Sequence, residues 1–137
     1  MKTKRIAENN TGQLTGLRVL VVEDDYFIAD EICSTLRDHG AEIVGPSPNV
    51  EQGLLLVRTQ ALDCAVLDIN LQGSYAFGIA SELRHRGTPA IFATGYDVSV
   101  LPKEFSGFVR LEKPLNLHAL LQAVRAACSS KQAARSA

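Results

Sequence analysis

The sequence lacks any apolar run long enough to cross a bilayer, which takes roughly 20 residues, so it predicts no membrane span. No secretory leader is expected either: Met1 to Thr15 is polar and carries Lys2, Lys4 and Arg5, with no apolar segment behind them. Cys33, Cys64 and Cys128 are odd in number and show no C-x-x-C spacing, so they read as reduced thiols, with Cys64 a small core residue. An excess of one charge is missing too. A formal net charge of −1 offers no electrostatic ground for binding nucleic acid. There is no internal repeat and no low-complexity segment, and the expected compartment is the cytoplasm.

What is present is globular. With 46% hydrophobic and 21% charged residues, 137 residues suit one domain with an ordinary core. Short apolar runs alternate with amphipathic stretches. Leu17 to Glu23 reads as a strand buried on both faces, and a helix follows from Asp25 to about Asp38, with Ile28, Ile32 and Leu36 inward and Gly40 as its stop. Ala41 to Gly45 is a second strand, ended by Pro46 and Pro48. Asn49 caps a helix to about Thr59 whose Leu54-Leu55-Leu56-Val57 stretch packs inward. Leu62 to Asp68, Pro89 to Thr94 and Phe108 to Leu111 are further strands. Helices are expected from Tyr75 to Arg86 and from Asn116 to about Cys128. Residues 95–106 support only a short or irregular fourth helix, near Val98 to Leu101.

Strand and helix thus alternate five times. That pattern gives an α/β fold, a flavodoxin-like (βα)5 arrangement with a five-stranded parallel sheet in the order 2-1-3-4-5 and helices on both faces. The expected divisions are a polar N-terminal arm over 1–16, the domain over 17–128, and a flexible tail over 129–137. The 23 residues after Pro114 leave room for one helix and a tail, so no output domain is expected.

In such a sheet the C-terminal strand ends meet at one crevice, where ligands bind. Glu23-Asp24 closes the first strand, Asp68 the third and Thr94 the fourth, and Lys113-Pro114 follows the fifth. Any one of these is a weak signal, and a lone strand-end Asp is more readily a helix cap. Asp25, following the pair, is the better cap candidate. The five in order resemble the site of a response-regulator receiver domain, over roughly Leu17 to Cys128. More narrowly, Pro89-Ala90-Ile91-Phe92-Ala93-Thr94-Gly95-Tyr96 and Asp68-Ile69-Asn70-Leu71-Gln72-Gly73 are similar to the FATGUY single-domain response regulators of alphaproteobacteria. That branch usually has Phe where Ala90 stands, and common receivers have Pro where Gln72 stands.

The resemblance implies that Asp68 is the phosphoacceptor, with Mg²⁺ held by Asp24, Asp68 and the Asn70 backbone carbonyl and with Glu23 acting through water. Thr94 and Lys113 would contact the phosphoryl group, and Gly95, Tyr96 and Pro114 would support the switch. The physics agrees. Like-charged carboxylates about 4 Å apart repel by roughly 4 kcal/mol at an effective dielectric near 20, which Lys113 and a divalent cation would offset. The implied protein is a cytoplasmic single-domain regulator in a two-component or phosphorelay system, with stress or related signalling as its setting. It is expected to be no enzyme beyond limited self-phosphorylation and self-dephosphorylation. Its partners would be a histidine kinase or phosphotransfer protein and a downstream protein target, with no nucleic acid and no membrane, and a homodimer is left open.

One departure is Arg110, which occupies the place three before the lysine where many receivers carry a switch aromatic. It motivates an alternative, a phosphorylation-independent binding module on the same fold. A metal-dependent phosphohydrolase is disfavoured because Asn70, two places after Asp68, cannot exchange protons as an acid/base must. His39, His85 and His118 share no ligand spacing and read as surface residues.

Overall fold

The computed structural model describes the backbone of residues 12–95 and 101–136, and side chains as far as Ser129. In chain order the elements are β1 (Arg18–Val22), α1 (Tyr26–Asp38), β2 (Glu42–Ser47), α2 (Val50–Thr59) and β3 (Cys64–Asp68). A small hairpin, β4 (Asn70–Leu71) and β5 (Ser74–Tyr75), comes next. It is followed by α3 (Phe77–His85), β6 (Ala90–Thr94), a 3-10 turn at Lys103–Phe105, β7 (Val109–Glu112) and α4 (Leu117–Ser136).

The main sheet is parallel, in the order β2-β1-β3-β6-β7, and the hairpin forms its own two-stranded sheet. Setting the hairpin aside, this is the expected 2-1-3-4-5 order. Strand alternation sorts the apolar runs onto two faces. Leu20, Val22, Ala65, Leu67, Ala90 and Phe92 face α2 and α3, whereas Val19, Val21, Cys64, Val66, Ile91 and Ala93 face α1 and α4. The inner strands are therefore apolar without a break, as burial on both faces requires.

Helix ends follow local chemistry. The Asp25 carboxylate accepts from the Phe27 and Ile28 N–H groups and caps α1. At its far end Gly40 N–H bonds to the Arg37 carbonyl and Ala41 N–H to that of Leu36, a Schellman closure. Asn49 caps α2 through Gln52 N–H, as expected.

Several expectations need correcting. Strand β2 does not stop at Gly45 but continues through Pro46 to Ser47, because it lies at the sheet edge, where a missing N–H is tolerated. In α2, Leu55 is 59% exposed while Val57 is buried, since a helix cannot turn four consecutive residues inward. The last helix runs past Cys128 to Ser136; the stretch after Cys128 carries Ala, Lys, Gln and Arg and no Gly or Pro, all compatible with continuing the helix. Leu14, within the expected arm, is buried in the second face, and its N–H bonds to the His39 carbonyl. Residues 1–11 of the expected arm lie outside the described residues, as does most of the helix expected near Val98. Among the described residues the fourth helical segment is the 3-10 turn at Lys103–Phe105.

Candidate functional site

Register levels the C-terminal strand ends. Val22 pairs with Leu67, Asp68 with Ala93, and Thr94 with Glu112, so the residue after each apolar run emerges at one crevice. Glu23, Asp68 and Thr94 are all buried there, Asp24 is half-buried, and Lys113 enters from the loop after β7. The cleft holds about 700 Å³ and is lined by Asp24, Asp68, Asn70, Gly95 and Lys113, among others.

One oxygen from each of Glu23, Asp24 and Asp68 lies within 4.8 Å of the others. The Lys113 ammonium sits 2.7 Å from Glu23 Oε1 and 3.2 Å from Asp68 Oδ2. Backbone donors hold the remaining oxygens: Asp25 N–H donates to Glu23 Oε2 (3.1 Å) and Asn70 N–H to Asp68 Oδ1 (3.2 Å). Gln72 N–H donates to Asp24 Oδ2 (3.0 Å), a bond that proline could not make. The Asn70 side-chain oxygen accepts from Gly73 N–H at 2.8 Å, so this side chain serves the turn. Lys113 N–H bonds to the Thr94 carbonyl at 2.9 Å, tying β6 to the loop that carries the ammonium, and the Lys113–Pro114 peptide is cis.

Burial sets the electrostatics. It pushes the Glu23 carboxyl up to about 7, against the pull of Lys113. Burial raises the Asp68 carboxyl as well, again opposed by Lys113. For Lys113 burial favours the neutral amine, but the two carboxylates outweigh it and hold the ammonium above its ordinary value. Three ionised acids facing one lysine would leave surplus negative charge in the cleft. Their hard oxygen donors fit a small divalent cation.

The structure thus brings together Glu23, Asp24, Asp68, Asn70, Thr94, Gly95 and Lys113, with Pro114 beside them. Gly95 is exposed at the rim, and a Cβ there would lie 3.9 Å from the Lys113 Cβ, ordinary contact, so space alone does not demand glycine. Tyr96 lies outside the described residues. Arg110 is exposed on the outer strand β7, away from the carboxylates lining the cleft. Sequence reasoning missed two features. The Gln72 backbone contact depends on a turn geometry that residue type alone does not announce. Tyr26 and Phe27 are 73% and 81% exposed and meet edge-on at the start of α1, beside Asp24 and Asp25. The helical period of Ile28, Ile32 and Leu36 already leaves both off the buried face.

Comparison with known proteins agrees with this geometry. The chain matches the response regulator receiver domain over residues 19–125. It is 30% identical over 113 residues to the sensory transduction protein LytT of Bacillus subtilis, covering 80% of this chain and 47% of that protein. The chain thus spans about half the length of the curated relatives it matches. Among solved structures it is similar to SdrG from Sphingomonas melonis Fr1, at 31% identity and a TM-score of 0.72, over 85% of this chain and 97% of that one. It also resembles a CheY-like receiver domain protein from Methanospirillum hungatei JF-1, at 24% identity and a TM-score of 0.76, over 85% and 96% of the two chains. With the sheet order, the strand-end acids and the family match all pointing the same way, the chain belongs to the response regulator receiver domain family.

Proposed function

We propose that this chain accepts a phosphoryl group on Asp68 from a histidine kinase or phosphotransfer protein and signals through protein contacts. The observation that carries the reading is the convergence of Glu23, Asp24 and Asp68 within 4.8 Å, with the Lys113 ammonium 3.2 Å from Asp68 Oδ2. An Asp68 oxygen forms the new O–P bond as the P–N bond to the donor imidazole breaks. Lys113 pairs with a phosphoryl oxygen, and the Thr94 hydroxyl donates to another. Glu23, Asp24, Asp68 and the Asn70 carbonyl would hold Mg²⁺, which when bound neutralises charge on the incoming group. The product is the modified chain itself, so the protein acts as a phosphoacceptor and not as an enzyme on small molecules.

The strand from Ala90 to Thr94 with Gly95 and Tyr96 supports placement in the FATGUY branch and a cytoplasmic role in stress or related signalling. Among the described residues no helix is long and apolar enough to cross a membrane. Arg110, exposed where many receivers have an aromatic, favours one competing reading, a binding module indifferent to phosphorylation.

Incubation with acetyl phosphate and Mg²⁺ separates the two. Intact mass should rise by one phosphoryl group in the wild type and stay unchanged in Asp68→Asn. Equal labelling of both, or none in either, would sink the assignment of Asp68.

A further inference from the structure

The hairpin β4–β5 grips both sides of the acidic cleft. At its base Asn70 N–H holds Asp68 Oδ1, and at its tip Gln72 N–H holds Asp24 Oδ2 across 48 residues of chain. Leu71 pairs with Ser74, leaving Gln72 and Gly73 as a two-residue loop. Both have positive φ, 54° and 91°, as the tight hairpin turn with two left-handed residues requires. Gln72 is the non-glycine with positive φ among the described residues.

A turn that only had to close would carry Asn, Asp or Gly at that first position. Here a glutamine bears the steric strain of the left-handed region. That conformation delivers its N–H to the carboxylate of Asp24. The bond to Oδ2 fixes the orientation of a carboxylate that has an oxygen within 4.8 Å of those of Glu23 and Asp68. The hairpin is itself anchored: Ala76 N–H bonds to the Ile69 carbonyl at 2.8 Å, and Tyr75 stacks on Phe77, which stacks on buried Phe105. A donor held from behind in this way orients its acceptor rather than following it.

We infer that the hairpin is a clasp and that Gln72, through its backbone N–H, is a positioning residue that presents Asp24 to a divalent cation shared with Asp68. The inference rests on the functional reading above, in which Asp24 is an ion ligand. It predicts that the amide matters and the glutamine side chain does not. Gln72→Gly keeps the N–H and accepts the positive φ. Gln72→Pro removes the N–H and cannot adopt that φ.

The test is Mn²⁺ titration of the full chain and both variants, with amide hydrogen exchange as a second reading. Holding one carboxylate in a single orientation is expected to be worth roughly three- to ten-fold in affinity. Gln72→Pro should therefore bind Mn²⁺ weaker by about that factor, while Gln72→Gly binds as the wild type does. In the ion-free wild type the Gln72 amide should exchange slowly. Asp24→Ala should release it while leaving the Gly73 amide, which bonds to Asn70, protected; this reading does not depend on the proline variant folding. Equal Mn²⁺ affinity in wild type and Gln72→Pro, equal weakening in Gln72→Gly and Gln72→Pro, or a fast-exchanging Gln72 amide in the wild type would each overturn the clasp alone. A wild type that binds no Mn²⁺ would overturn the clasp and the functional reading together.

Discussion

Glu23 is an acid withdrawn from water, and its carboxyl at about 7 makes stability depend on pH in a definite direction. Between its ordinary 4.5 and about 7 the folded chain keeps a proton that the unfolded chain has released. Stability therefore falls as pH rises through that window. Asp68, also raised by burial, adds a contribution of the same sign. In EDTA the melting temperature should decline across that window, and Glu23→Gln should flatten the decline. A melting temperature that rises there equally in both proteins would contradict the assignment. Lys113 is the counterweight. Lys113→Met should drive the Asp68 carboxyl higher still, read by carboxyl ¹³C titration, because its 3.2 Å ammonium partner is gone. At this scale the sequence was legible at strand ends: the apolar runs placed Glu23, Asp68 and Lys113 there, the family resemblance added Thr94, and the structure brings all four to one end of the sheet. The direct Glu23–Lys113 contact was not legible, since a glutamate after an apolar run also reads as a solvated terminus. Nor was Gln72, whose part is played by a backbone N–H that any residue but proline carries.

Among the elements, the edges depart most from what periodicity predicts. Strand β2 passes through Gly45 and Pro46 with a shift of register against β1, and a Cβ at Gly45 would stand 2.8 Å from Ser47 N and 3.0 Å from the Val21 carbonyl oxygen. Gly45 also has φ of 97°. Gly45→Ala should therefore destabilise by more than the roughly 1 kcal/mol that a left-handed alanine costs alone, lowering the melting point by several degrees. An unchanged melting point would show that the edge can relax. Helix α4 docks through Leu120, Val124 and Cys128, all buried and spaced by four. Leu120→Ala should cost about 2–5 kcal/mol in urea unfolding, whereas Leu55→Ala, on the exposed face of α2, should cost little. The inner helices and strands were legible because burial on one stripe or both faces imprints a period. The hairpin was not, because its two-residue strands are too short to carry one.

For the whole molecule, the order of apolar runs and helices sufficed to give the sheet order, because right-handed crossovers leave few arrangements of five parallel strands. That order explains why acids distant in sequence form one cleft. It also makes the acidic cleft costly when empty of cations: three carboxylates share one lysine, and two of them are buried. A divalent cation at the three carboxylates would relieve that cost. The most direct test is a thermal melt of wild type and Asp68→Asn, with and without Mg²⁺ and beryllofluoride, which mimics an aspartyl phosphate. A ligand present at a hundredfold its Kd stabilises the native state by about 2.7 kcal/mol, a shift of several degrees in a domain of this size. The wild type should show that rise and Asp68→Asn should not; no rise in either protein, or an equal rise in both, would contradict a phosphoacceptor site at Asp68.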